Sequence, residues 1–280
     1  MKAPVQRLWR FLKFYLRATT IYGLHAPFAY EFAHNIIEQK GRVPREEEIE
    51  NLRQNLQTDN RIIQVTDFGA GSSYQQTNQR RIKDIARHSA TPKMVSGWLS
   101  RSIQYYKCHS ILEIGTSLGL GSLYLAASTS GTLTSLEGCP ETARIARENI
   151  QKLGIENIEI KTGQFSKILP ALLSHTSFKP DFIYFDGDHR EESVLRQFEL
   201  SLGQVGKQAV LVFDDIYWSE GMMSAWKQIC ARPEVRLSID LFFSGYIFLD
   251  PQIITKQHYR LVRKSWKPWQ VGIRLLHPKI

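Results

Sequence analysis

The chain has 280 residues, room for one large domain or a domain with a small appendage. Its 42% apolar and 22% charged residues are those of a soluble globular protein. Three scattered cysteines, Cys108, Cys139 and Cys230, lack CxxC spacing, which argues against a zinc site or a disulfide framework and makes a reducing cytoplasm the expected location. The net charge of +9 gathers toward the two ends.

The opening stretch MKAPVQRLWRFLKFYLRATT is basic and apolar. Val5, Leu8, Leu12 and Tyr15 recur at helical spacing and predict an amphipathic helix. Lys13 and Arg17 interrupt the apolar run, so neither a signal peptide nor a stable membrane insertion is expected. Such a helix packs on the body or on a partner subunit, and its aromatics would suit a homodimer. Contact with a membrane surface is the weaker alternative. Residues 1–95 read as a mainly helical extension or lid, with a turn before Pro27 and a charged helix start at GRVPREEEIENLRQ.

From about residue 108 strands and helices alternate. SILEIG, GTLTSLEG, IENIEIK, DFIYFDGDH and AVLVFDD read as strands, each followed by a helix. In PETARIARENIQKLG, Pro140 suits the first turn and Gly154 the stop. VRLSIDLFFSGYIFLD adds a hairpin through Ser244–Gly245. The runs are almost continuously apolar, as in a parallel sheet covered on both faces. The expected fold is α/β, a doubly wound, mostly parallel, seven-stranded Rossmann-like sheet with a terminal antiparallel hairpin. It occupies residues 96–280. Lys256, Arg260, Arg263, Lys264, Lys267, Arg274 and Lys279 interleave with Trp266 and Trp269 near the end. They suit a solvated basic surface or, less often, a phosphate backbone.

Two glycine turns compete for a ligand, DFGAGSS at 67–73 and EIGTSLGLGS from 113. An adenosyl or dinucleotide site needs a helix after the turn and a second strand ending in an acid for the ribose hydroxyls. The second turn has both, since TLTSLE ends in Glu137. The first is followed by polar and basic SYQQTNQRRIKDIARHSATP. It reads as a structural turn with Ser72 or Ser73 as a cap, or as a lid presenting Arg80, Arg81 and Lys83.

The stretches ILEIGTSLGLGSLYLA, LTSLEGCPETARIARENI, IEIKTGQFSKILPAL, DFIYFDGDH and AVLVFDDIYW, in this order, resemble class I S-adenosylmethionine-dependent methyltransferases. The similarity is greatest to the metal-dependent O-methyltransferases of the catechol and caffeoyl-CoA type. The resemblance implies that Glu113 and Gly115 line the methionine part of the cofactor, with Thr116, Ser117 and Gly119 as the pocket wall. It gives Glu137, with Gly138 beside it, to the ribose, and Gln164 and Phe165 to the adenine, although Phe165 suits plain core equally. Asp186 borders the cofactor and, with Asp214 and Asp215, would hold Mg²⁺ or another divalent cation. Asn is usual at the position of Asp215. Clustered carboxylates favour a cation on their own account. Asp188 reads as a further ligand or as a helix cap. His189 stands three residues after Asp186, where the catechol enzymes carry a lysine base, and a neutral imidazole could take that role. The implied acceptor is a small-molecule hydroxyl. An RNA hydroxyl, or a binding module without turnover, is the alternative.

Overall fold

The computed structural model describes residues 3–39, 41–66 and 78–270. The DFGAGSS turn, with Ser72 and Ser73, lies outside them, as do Arg274 and Lys279. The N-terminal part supplies α1 (Ala3–Arg17), α2 (Pro27–Phe32, continued as a π-helical turn over Ala33–Glu38), α3 (Glu46–Leu56), α4 (Ile82–His88) and α5 (Lys93–Tyr106). A short antiparallel pair, β1 (Ile62–Gln64) with β2 (Gln79–Arg81), sits between α3 and α4. It is an addition to the helical extension expected from sequence.

The alternating region follows as β3 (Ser110–Ile114), α6 (Leu120–Ala127), β4 (Thr132–Glu137), α7 (Pro140–Leu153), β5 (Ile158–Thr162), α8 (Phe165–Leu173), β6 (Phe182–Phe185), α9 (Glu191–Leu202), β7 (Val210–Asp214), α10 (Glu220–Ala231), β8 (Leu237–Asp240), β9 (Ser244–Phe248) and β10 (Gln257–Arg260). Among the described residues the main sheet has eight strands in the order β5-β4-β3-β6-β7-β9-β8-β10. Seven match the expected Rossmann-like set. Only β9 runs antiparallel to its neighbours, as the hairpin requires. The eighth, β10, pairs parallel with β8 and comes from the basic tail, where Gln257, His258 and Arg260 hide a half-buried edge strand from a hydropathy reading.

The central strands are apolar because both faces are covered. Ile111, Leu112, Ile114, Phe182 and Ile183 are fully buried. α6 is apolar nearly all round because it lies between the sheet and the helices α3 and α5. Tyr124 on α6 donates to Glu50 on α3 at 2.8 Å. The N-terminal helices therefore share one core with the sheet, running from Ile21 to Leu261 across residue 95.

α1 docks separately, at the end of the sheet where β7 and β8 finish. Phe14 and Ala18 pack with Phe242 and Val262, and Phe11 meets the Phe242 ring edge-on at 4.9 Å. Lys267, from the basic tail, donates to the Ala18 carbonyl at 2.6 Å and stands over the Tyr15 ring. Part of that tail thus fastens the first helix. No helix among the described residues is long and apolar enough to cross a membrane.

Candidate active site

The sheet order reverses between β3 and β6, where open α/β sheets bind ligands at the carboxyl ends of their strands. After β3 the chain turns at Gly115 with φ of +110°. A Cβ there would lie 2.6 Å from the Asp186 backbone, so β3 and β6 can end this close together only with glycine. Gly119, with φ of +84°, opens α6 and would place a Cβ 3.2 Å from that of Ala146 on α7. The two glycines fix the loop against both neighbours.

Around this loop runs a slot lined by Thr91, Glu113, Gly115, Thr116, Ser117 and Asp186, among others. Its free volume is about 10 Å³, room for little more than one water. Glu113 is fully buried and accepts from the hydroxyls of Ser122 and Ser135, the latter at 2.6 Å. Burial pushes its carboxyl up to about 7 despite those bonds. Glu137 ends β4 and accepts the Ser117 amide at 2.7 Å and the Cys139 amide at 2.8 Å. Burial raises its pKa too, and the amides hold it back. A carboxylate so placed, beside a helix-opening glycine loop, can receive a vicinal diol once it releases the Ser117 amide. Phe165 faces the backbone after β6, since a Cβ on Gly187 would strike its ring at 2.4 Å. Gln164 precedes α8 as its half-buried cap residue, and Gly138 follows Glu137 in the turn to α7.

The second half of the site stands at the ends of β6 and β7. Asp186 and Asp214 are both desolvated and close enough that the charge of Asp214 opposes ionisation of Asp186; burial is the larger cause in each case, and both carboxyls are driven upward. Asp214 Oδ1 is buried without a hydrogen-bond partner among the described residues. Thr91 Oγ1 approaches Asp186 at 3.4 Å. His189 Nε2 is 3.9 Å from Asp186 Oδ1, and burial lowers the imidazole pKa, so the ring is neutral near pH 7. Asp188 is clamped by Arg190 through its side chain at 2.7 Å and its amide at 3.1 Å.

Residues 112–216 match the family model described as a methyltransferase domain. Over this stretch the chain is similar to methyltransferases. A catechol O-methyltransferase of Niastella koreensis is 30% identical over 116 residues, 40% of this chain and 52% of that protein. One from Mycobacterium tuberculosis is 30% identical over 117 residues, 41% and 51% of the two chains. The chain thus spans about half the length of the curated relatives it matches. Among solved structures, an S-adenosylhomocysteine-bound methyltransferase of Podospora anserina superposes with a TM-score of 0.57 at 15% identity, covering 81% of this chain and 99% of that one. An O-methyltransferase of Bacillus cereus, also with S-adenosylhomocysteine, gives 0.52 at 20% identity over 78% and 96%. At these identities the structural likeness concerns the fold.

Metal-dependent members of the methyltransferase family lead one to expect the aspartates as a ligand set, and here they are not gathered into one. Among the described residues no group of three or more His, Cys, Asp or Glu side chains forms a metal-binding cluster. Asp215 sits at φ of +47° and gives its carboxylate to Arg7 of α1 at 2.9 Å. Asp186 and Asp214 fit a hard divalent cation, having oxygen donors, mutual repulsion and an orphaned buried oxygen. Asp215 fits one only after Arg7 lets go. The candidate site also draws on residues that motif reading passed over. Thr91 comes from the loop before α5, Ser122 and Ser135 satisfy Glu113, and Arg7 lies 208 positions from its partner. A hydroxyl spaced along α6 or β4 carries no signal by itself. The basic first helix was visible, but its target was not. Of the cations after the first glycine turn, Lys83 bonds Asn60 at 2.6 Å.

Proposed function

We propose that this methyltransferase binds S-adenosylmethionine over the β3–α6 turn and transfers its methyl group to a hydroxyl of a small molecule. The observation that carries the reading is the placement of Gly115, Glu113, Ser117 and Asp186 around one slot at the reversal of strand order, with Glu137 accepting the Ser117 amide of its wall. The sulfonium supplies an activated methyl, so the protein must align an oxygen nucleophile, receive its proton and exclude water. Glu137 takes the ribose hydroxyls, Gln164 and Phe165 the adenine, and Thr116, Ser117 and Gly119 the wall of the pocket. His189, neutral and beside Asp186, receives the acceptor proton at Nε2. Asp186 and Asp214 would hold a divalent cation, which when bound lowers the pKa of a coordinated hydroxyl. Three free cysteines suit a reducing compartment such as the cytoplasm.

Calorimetric titration with S-adenosylhomocysteine, with and without Mg²⁺, is the test. Micromolar binding is expected, and a change with Mg²⁺ supports the cation at Asp186 and Asp214. A screen of catechols and other phenols with methyl-labelled cofactor then finds the acceptor. Absence of both heat and thermal stabilisation would sink the proposal.

A further inference from the structure

A second cavity, far larger than the cofactor slot, lies between α1 and α10 and encloses about 610 Å³, within the range of small-molecule sites. It is not lined by Asp186, Glu113, Glu137 or His189. Its apolar surface comes from Phe14, Ile216, Met223, Trp226 and Cys230. Lys13 and Arg17 on α1, Lys227 on α10 and Arg260 on β10 add positive charge that outweighs the two lining carboxylates, Glu220 and Asp240. Arg260 faces buried Asp240 at 3.5 Å, and Arg10 donates to the Tyr217 and Trp218 carbonyls. Lys13, Arg17 and Lys227 have no ion pair among the described residues; Lys13 stands only over the Trp9 ring. An apolar trough and three cations outside any ion pair among the described residues describe a ligand that is apolar along its body and anionic at its head.

We infer that the cleft between α1 and α10 is a binding site for a single-chain anionic amphiphile, an alkyl chain bearing a carboxylate or a phosphate. The chain lies along Phe14, Ile216 and Met223, and the head meets Lys13, Arg17 and Lys227. The site is separate from the cofactor slot and does not depend on methyl transfer.

Calorimetry and tryptophan fluorescence on the full chain with decanoate and decyl phosphate, each below its micelle concentration, test this. Saturable one-to-one binding is expected with at least one of them, and comparison of the two separates carboxylate from phosphate. Lys13→Glu with Lys227→Glu should weaken it at least tenfold, and Met223→Trp should remove it by filling the trough. S-adenosylhomocysteine titrated into the same preparations reports whether each variant is folded and keeps the methyltransferase reading separate. The inference is overturned by non-saturable binding, by equal binding of decanol, by competition with S-adenosylhomocysteine, or by indifference to both sets of substitutions. Binding to anionic vesicles without binding of the monomeric amphiphiles would overturn it as well, in favour of a membrane-surface role for α1.

Discussion

The two halves of the candidate active site are built in opposite ways. In the cofactor half, around β3 and β4, every carboxylate is answered locally. Glu113 has two serine hydroxyls, and Glu137 has two backbone amides within a few residues of the loop. In the proposed acceptor half, Asp186 and Asp214 face each other, Asp214 has an oxygen without a hydrogen-bond partner among the described residues, and the Asp215 carboxylate pairs with a residue from the far end of the chain. A completed local network holds one geometry, while buried carboxyls without partners ionise only with a guest or a compensating neighbour. The first half is a preformed cradle. The second is prepared for something that arrives.

The greatest expected effect falls on the seam between them. Gly115→Ala adds both a left-handed backbone penalty and a Cβ 2.6 Å from the Asp186 main chain. Backbone cannot yield as a flexible side chain can, so a loss of about 3 kcal/mol or more is expected, together with S-adenosylhomocysteine binding. Retained binding with an unchanged melting temperature would show that β3 and β6 do not end so tightly together.

Glu113 sharpens the contrast through pH. Its carboxyl has an ordinary value near 4.5 and is raised to about 7 in the fold. The native state therefore holds the proton that the unfolded chain has released between those values. The associated stability is full below about pH 4.5 and is lost as pH rises to 7, up to about 3 kcal/mol. Glu113→Gln, measured by thermal unfolding at pH 5 and pH 8, should remove that fall. An identical pH profile for variant and parent would mean that Glu113 is ionised in the fold.

A smaller effect is expected at Glu137. Glu137→Ala removes the proposed acceptor for the ribose, and S-adenosylhomocysteine affinity should drop roughly 10- to 100-fold, about 1.5–3 kcal/mol. An unchanged dissociation constant would reassign the ribose to another group.

The same contrast separates what sequence could and could not disclose. The cradle is contiguous: the glycine loop, Glu113 and Glu137 lie within 25 residues, and strand, turn and helix must follow one another for the site to exist. That order is visible in text. The chain region 108–250 likewise shows its strands because apolar runs are the price of burial on both faces. β10 stayed hidden because an edge strand needs little apolar surface, and the helix α5 because its partner faces belong to elements far away in sequence. The acceptor half combines β6, β7, the Thr91 loop and α1. Its aspartates could be found by resemblance, but the pairing of Arg7 with Asp215 depends on where α1 docks, which Phe242, Val262 and Lys267 decide.

Arg7→Ala has the smallest expected effect on stability and bears most directly on this difference. The Arg7–Asp215 pair is partly exposed, with the guanidinium also over the Trp218 ring at 5.4 Å, so its removal should cost less than about 1 kcal/mol. Its chemical consequence is larger. With the guanidinium gone, Asp215 joins Asp186 and Asp214 as a third carboxylate without a counterion. Three oxygen donors hold a hard cation better than two, and the electrostatic demand for one rises. The variant should therefore gain more thermal stability from millimolar Mg²⁺ than the parent does. A parent that already responds fully, with no gain in the variant, would mean that Arg7 yields to the cation freely and that the two halves of the site differ less than their geometry suggests. No response in either protein would leave Arg7 as the resident counterion of the acceptor half and direct the search for a proton acceptor to His189 alone.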